Sequence, residues 1–175
     1  MTYGPQTTDE MAELWFQLLP RNRADREVLA EALSTKMKQV FFDYNEYLLR
    51  TDPANVKGHI QMAVALLGQG KSEEAREHLR VAAQVDPQND QPHYYLGLAF
   101  RQQHKLAEAR AEFESALRLN PDNFKAHGNL GLIFAEQGLL DQAESHFRSA
   151  LRINPDDSLA QESLNELRKA KPRNK

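Results

Sequence analysis

With 175 residues, 41% apolar and 27% charged, the chain is long enough for one folded domain of ordinary size. Its 22 basic and 25 acidic side chains leave a net charge of -3, too little positive field to neutralise a phosphate backbone, which excludes general nucleic-acid binding. It has no cysteine, so disulfides, thiolate metal sites and cysteine nucleophiles are excluded, and no run approaches the ~20 apolar residues of a membrane span.

Residues 1–21 read as a leader holding one short apolar segment, Asp9–Leu19, with Leu14, Trp15, Phe16, Leu18 and Leu19 ahead of the stop at Pro20. The basic-then-apolar layout of an export signal is missing. Residues 22–55 come next. From Ala24 to Arg50 there is neither glycine nor proline, and Val28, Leu29, Leu33, Met37, Val40, Phe41, Tyr44 and Leu48 recur at steps of three and four. That period predicts one long amphipathic helix, or else a diverged copy of the unit that follows.

Four pairs, Asp52-Pro53, Asp86-Pro87, Asn120-Pro121 and Asn154-Pro155, then sit 34 residues apart. A fixed period of that length marks a two-helix unit whose apolar face only the next unit can bury. Three full units result, Val56–Asn89, Asp90–Asn123 and Phe124–Asp157. Small residues occupy their eighth position (Ala63, Gly97, Gly131), their twentieth (Ala75, Ala109, Ala143) and their twenty-seventh (Ala82, Ala116, Ala150), allowing close helix approach. Met62, Leu96 and Leu130 at the seventh, Leu66, Phe100 and Phe134 at the eleventh, and Leu79, Phe113 and Phe147 at the twenty-fourth supply the apolar filling. Within the units, Gly70 and Gly138 are placed to cap first helices, and Ser72 and Asp141, as cap-type residues, precede or open second ones. Residues 158–170, with Leu159, Leu164 and Leu167 on one side, read as a capping helix, and 171–175 as a basic tail. In the same frame, residues 22–55 put Leu29, Phe41 and Leu48 where small residues belong.

These columns resemble the tetratricopeptide repeat family over 56–157, with small residues at positions 8, 20 and 27 and proline at 32. The resemblance implies an all-α fold, a right-handed α-solenoid of three helix pairs with an N-terminal helical extension and a C-terminal capping helix. It also implies a concave, peptide-binding face made by the first helix of each pair. Carried onto this chain, that groove comprises Lys57, Ile60, Gln61 and Val64, with Leu67 beside them, then Gln91, Tyr94, Tyr95, Leu98 and Arg101, then Lys125, Asn129, Leu132 and Glu136. One departure is position 4, usually tryptophan, which holds His59, His93 and His127. Some members of the family clamp a C-terminal carboxylate with lysines, asparagines and an arginine. The matching positions here are Ile60, Val64, Tyr95, Lys125 and Asn129, of which Lys125 alone fits.

The remaining polar features predict no catalysis, no cofactor and no metal. Histidines in the same column of successive units lie on the order of 10 Å apart, too far for one ion with ligands at ~2 Å, and His78 and His146 at position 23 are farther apart still. Gly68-Gln69-Gly70-Lys71-Ser72 echoes a phosphate loop, but Ala65 replaces its first glycine and a helix, not a strand, precedes it. The segment Gly4–Met11 is similar to the end of the catalytic core of copper type II, ascorbate-dependent monooxygenases, where Met11 would be the soft copper ligand. No histidine precedes His59, so this chain alone makes no such site. The resemblance implies instead a C-terminal accessory domain of a larger copper enzyme, which would be extracytoplasmic; otherwise the missing export signal makes the cytoplasm the default. The leading expectation is a noncatalytic scaffold that binds a peptide or partner protein. A homodimer through the N-terminal helices, using Phe41, Phe42, Tyr44 and Tyr47, is a further one.

Overall fold

The structure is a computed structural model that describes Arg23–Ala170, with side chains from Thr35 onward apart from Lys38 and Ala170. The leader, the Gly4–Met11 run and the basic tail lie outside the described residues. The chain divides into two compact units, Met1–Asp43 and Tyr44–Lys175. Helix α1 (Arg23–Thr51) supplies the described part of the first unit and enters the second. It runs unbroken for 29 residues.

The second unit is a stack of helices. Three pairs follow α1, namely α2 (Val56–Gly68) with α3 (Ser72–Val85), α4 (Asp90–Gln102) with α5 (Leu106–Leu119), and α6 (Phe124–Glu136) with α7 (Leu140–Ile153). Helix α8 (Ser158–Ala170) closes the array, and no strand occurs among the described residues.

The 34-residue beat has a local cause in the connection between pairs. Asp52, Asp86, Asn120 and Asn154 each accept, through Oδ1, the backbone N–H two residues on, at 3.1–3.3 Å. Their carbonyls accept from Asn55, Asn89, Asn123 and Asp157, closing a turn in which the intervening proline presets φ. Asn55, Asn89 and Asn123 then cap the following helices, accepting from Gly58, Gln91 and Ala126 at 2.8–3.0 Å. Each such cap stabilises its helix by about 1 kcal/mol. The prolines therefore lie in the connection, just before the caps, and not inside a helix.

Capping of the second helices differs from expectation. The N-cap positions are Lys71, Lys105 and Leu139, none with a side-chain capping bond, while Ser72 is the first helical residue and donates from Oγ to Gln102 at 2.7 Å. The backbone explains this. Lys71, Lys105 and Leu139 donate their N–H groups back to Leu66, Phe100 and Phe134, so the residue that closes one helix also opens the next. Acidic residues in the first turns, Glu73, Glu74, Glu108 and Asp141, complement the exposed helix N-termini. The turn requires a left-handed residue, supplied by Gly70 (φ 76°), Gly138 (φ 75°) and, in the middle unit, His104 (φ 57°).

Within each pair the small columns do what their size permits. A Cβ added at Gly97 would stand 2.6 Å from the Phe113 ring, and one at Gly131 would stand 2.5 Å from that of Phe147. The first unit makes the opposite exchange, with Ala63 at the small position and the shorter Leu79 in place of phenylalanine. Between pairs, Arg76 lies over the Phe100 ring at 4.4 Å and Arg110 over Phe134 at 4.8 Å. A cation on an aromatic face thus links each unit to the next. At the C-terminal end α8 buries Ala160, Leu164 and Leu167 against the last pair, closing a core that includes Leu130, Ile133, Phe134 and Phe147.

Candidate functional site

The first helices of neighbouring pairs meet along one side of the array: α2 touches α4, and α6 touches α8. Between α4 and α6 the link is polar. Arg101 donates to Asn129 Oδ1, and Asn129 returns its amide to the Lys125 carbonyl at 2.8 Å. Asn129 also lies near the Tyr94 hydroxyl and favours its ionised form. Tyr94 meets Tyr95 edge-on, with ring centroids 5.0 Å apart, and lies 5.9 Å from Phe113. Burial, and after it the neighbouring Tyr95, push the Tyr94 hydroxyl up from its ordinary pKa.

Of the residues assigned to the groove, Lys57, Val64, Gln91, Lys125 and Glu136 are exposed, while Gln61, Tyr94, Tyr95, Leu98, Arg101 and Leu132 are half-buried. Ile60, Leu67 and Asn129 are buried. Ile60 and Leu67 are core residues of α2, whereas Asn129 holds Arg101 in place. Contacts thus join Arg101 on α4 to Asn129 on α6, with the Lys125 carbonyl behind Asn129 and the Tyr94–Tyr95 pair on the same helix as Arg101.

A second constellation lies between the two helices of a pair. His59 Nδ1 stands 3.0 Å from His78 Nδ1, and His127 Nδ1 stands 3.0 Å from His146 Nδ1. In each pair the other nitrogen of the position-4 ring faces a backbone carbonyl, Pro53 at 3.0 Å and Pro121 at 3.3 Å. Burial lowers the pKa of His78, His127 and His146, and the facing histidine lowers His78 and His146 further. In the middle unit Glu112 takes the place of the second histidine, with Oε2 2.8 Å from His93 Nδ1. Comparing like columns along the array misses this arrangement. Its signal is a 19-residue step within a unit, from position 4 to position 23.

The family model described as tetratricopeptide repeat matches residues 60–116 and 94–158, more than half of the chain. The chain belongs to the tetratricopeptide repeat family. No curated protein matches it. Among solved structures, the chain is similar to a crystal structure of MamA, with a TM-score of 0.66 and 22% identity over 78% of this chain and 81% of that one. It is also similar to the first repeat domain of Spaghetti (RPAP3) bound to the HSP90 peptide SRMEEVD, with a TM-score of 0.63 and 22% identity over 66% of this chain and 94% of the other. A third likeness is to the second repeat domain of human RPAP3 in complex with the HSP70 peptide SGPTIEEVD, with a TM-score of 0.58 and 22% identity over 63% and 92%. At these identities the likeness is one of fold. The tetratricopeptide pattern accounts for the Gly97–Phe113 and Gly131–Phe147 contacts, and it leaves the histidine pairs as a property of this sequence. Among the described residues no helix is long and apolar enough to cross a membrane, and no group of three or more His, Cys, Asp or Glu is placed to hold a metal ion.

Proposed function

We propose that the tetratricopeptide array is a noncatalytic scaffold whose first helices bind an extended segment of a partner protein across α4 and α6. The bond between Arg101 and Asn129 carries this reading. A buried asparagine, itself fixed on the Lys125 carbonyl, orients a half-buried arginine from the neighbouring unit. Side chains held in advance lose little freedom when a ligand arrives, so more of the contact energy appears as affinity. Tyr95 beside them offers a large amphipathic surface, and Lys125 and Arg101 offer cations to a carboxylate or to backbone carbonyls. The solved relatives that carry peptides favour the same mode. A clamp on a C-terminal carboxylate is not part of the proposal, because Lys125 alone matches it.

Selection from a displayed random-peptide library against the full chain tests the reading. Selected peptides are expected to lose at least tenfold in affinity on Tyr95→Ala with Lys125→Ala, a cost of about 1.4 kcal/mol or more. Tyr95 packs against the Tyr94 ring, so Lys125→Ala alone is measured beside the double variant and is expected to show part of the same loss. Peptides that bind this variant as well as the parent would place the site elsewhere.

A second reading, self-association through α1, draws on the exposed stripe of Met37, Val40, Phe41, Tyr44 and Tyr47. Light scattering across a concentration series decides it. A constant monomer mass removes it and leaves the groove reading untouched.

A further inference from the structure

We infer that His59 with His78, and His127 with His146, form two equivalent chelating sites for a late first-row divalent cation with tetragonal preference, Cu2+ or Ni2+, held through the paired Nδ1 atoms. None of the four rings is among the residues proposed to contact a peptide. Four observations carry the assignment.

The first is the separation of the nitrogens. Two atoms 3.0 Å apart subtend an angle of about 94° at an ion placed ~2.05 Å from each. That angle is cis in a square or an octahedron. A tetrahedral ion needs roughly 3.3 Å between the same atoms. Imidazole nitrogen with tetragonal geometry is the donor pattern of Cu2+ and Ni2+, and Cu2+ stands highest in the general affinity order of divalent ions.

The second observation is the orientation of the rings. Pro53 and Pro121 present carbonyl oxygens, which only accept, to the Nε2 atoms of His59 and His127. The proton is therefore kept on Nε2 and the lone pair on Nδ1, aimed at the partner ring. Histidines that ligate metals are commonly held this way, by a carbonyl or carboxylate on the far nitrogen.

The third is the contact already made without an ion. His78 and His146 satisfy each pair by donating Nδ1–H to the facing Nδ1, so the two nitrogens are held together in advance. An ion takes the place of that proton, which moves to Nε2 of the same ring.

The fourth is recurrence with an internal contrast. The two sites share distances, ring tilt and carbonyl partner, while the middle unit has one histidine and Glu112. With no third His, Cys, Asp or Glu grouped with either pair among the described residues, water completes the coordination sphere. The charges facing each site rank them. Glu74 faces His78 and favours a cation, whereas Arg110 faces His146 and Arg152 faces His127, offsetting Glu114 and Asp122.

Titration of the full chain with CuCl2 and separately NiCl2, by calorimetry and by the Cu2+ electron paramagnetic resonance spectrum, tests the assignment. Two ions per chain are expected, each Cu2+ coupled to two imidazole nitrogens. His78→Gln is expected to leave one ion, bound more weakly than the one that His146→Gln leaves. Glu112→His recreates the pair in the middle unit and is expected to raise the count to three, a gain that misfolding does not produce. The double variant His78→Gln with His146→Gln measures adventitious binding. A parent count no higher than that variant's, coupling to one nitrogen only, or an unchanged count in Glu112→His overturns the proposal and leaves hydrogen-bonded pairs only.

Discussion

At the scale of single residues, the contacts of Gly97 and Gly131 show how the repeat columns act. Adding one methyl at Gly97 brings it within 2.6 Å of a ring that is completely buried and has nowhere to go. Alanine is the better helix former by roughly 0.5–1 kcal/mol, but overpacking costs about 1–3 kcal/mol, so the steric effect wins. Gly97→Ala is therefore expected to lower the urea midpoint. Its loss should shrink when Phe113→Leu is present, because that pair copies the Ala63 and Leu79 arrangement of the first unit. A double-mutant cycle with coupling of at least about 0.5 kcal/mol is the check, and strict additivity would contradict the shared contact. Tyr94 makes a second prediction. Its hydroxyl titrates above the ordinary value of 10.0, because burial and Tyr95 disfavour the phenolate in the folded chain. Unfolded chains ionise first as pH climbs past that value, so this contribution to stability is intact below pH ~10 and is lost above it. Tyr94→Phe is expected to flatten the alkaline limb of a stability-against-pH curve. An unchanged limb would rule the contribution out.

At the scale of elements, the turn between the two helices of a pair is set by one left-handed residue, and the middle unit puts a histidine there. An L side chain at φ 57° costs roughly 1–2 kcal/mol, of which glycine returns about 0.4–1 kcal/mol to the unfolded chain as added freedom. His104→Gly is thus expected to stabilise by about 0.5–1 kcal/mol, read as a higher urea midpoint with an unchanged slope. A lower midpoint would mean that the imidazole makes a contact worth more than the strain. The connections between pairs follow the same economy of local signals. An Asp or Asn before each proline makes the turn with the Asn or Asp two residues after it, and in the first three connections that Asn also makes the cap. Those residues are plain in the chain at Asp52–Asn55, Asp86–Asn89, Asn120–Asn123 and Asn154–Asp157. Ser72 and Asp141 show the limit of reading caps from residue type. Both have cap-type side chains, yet the backbone of the preceding helix end occupies the capping position.

At the scale of the molecule, solenoid architecture and small-to-large matching inside each pair were both legible in the chain. Each depends on interactions spanning fewer than 34 residues, and so repeats with the sequence. The groove was legible only as a set of columns. Stacking α4 beside α6 is what sets Arg101 on Asn129, 28 positions away, and turns a supposed contact residue into a support for its neighbours. Ile60 was read as facing the groove and is instead buried in α2, since a helix face alone does not say how far the next pair overlaps it. The histidine pairs belong to the same level. The 19-residue step from His59 to His78 becomes a contact only when two antiparallel helices fold onto each other and bring two nitrogens to 3.0 Å. Periodicity settles which fold forms because it is written along one dimension; which side chains share a site depends on the angle and overlap at which packed helices meet, and those arise from the whole stack.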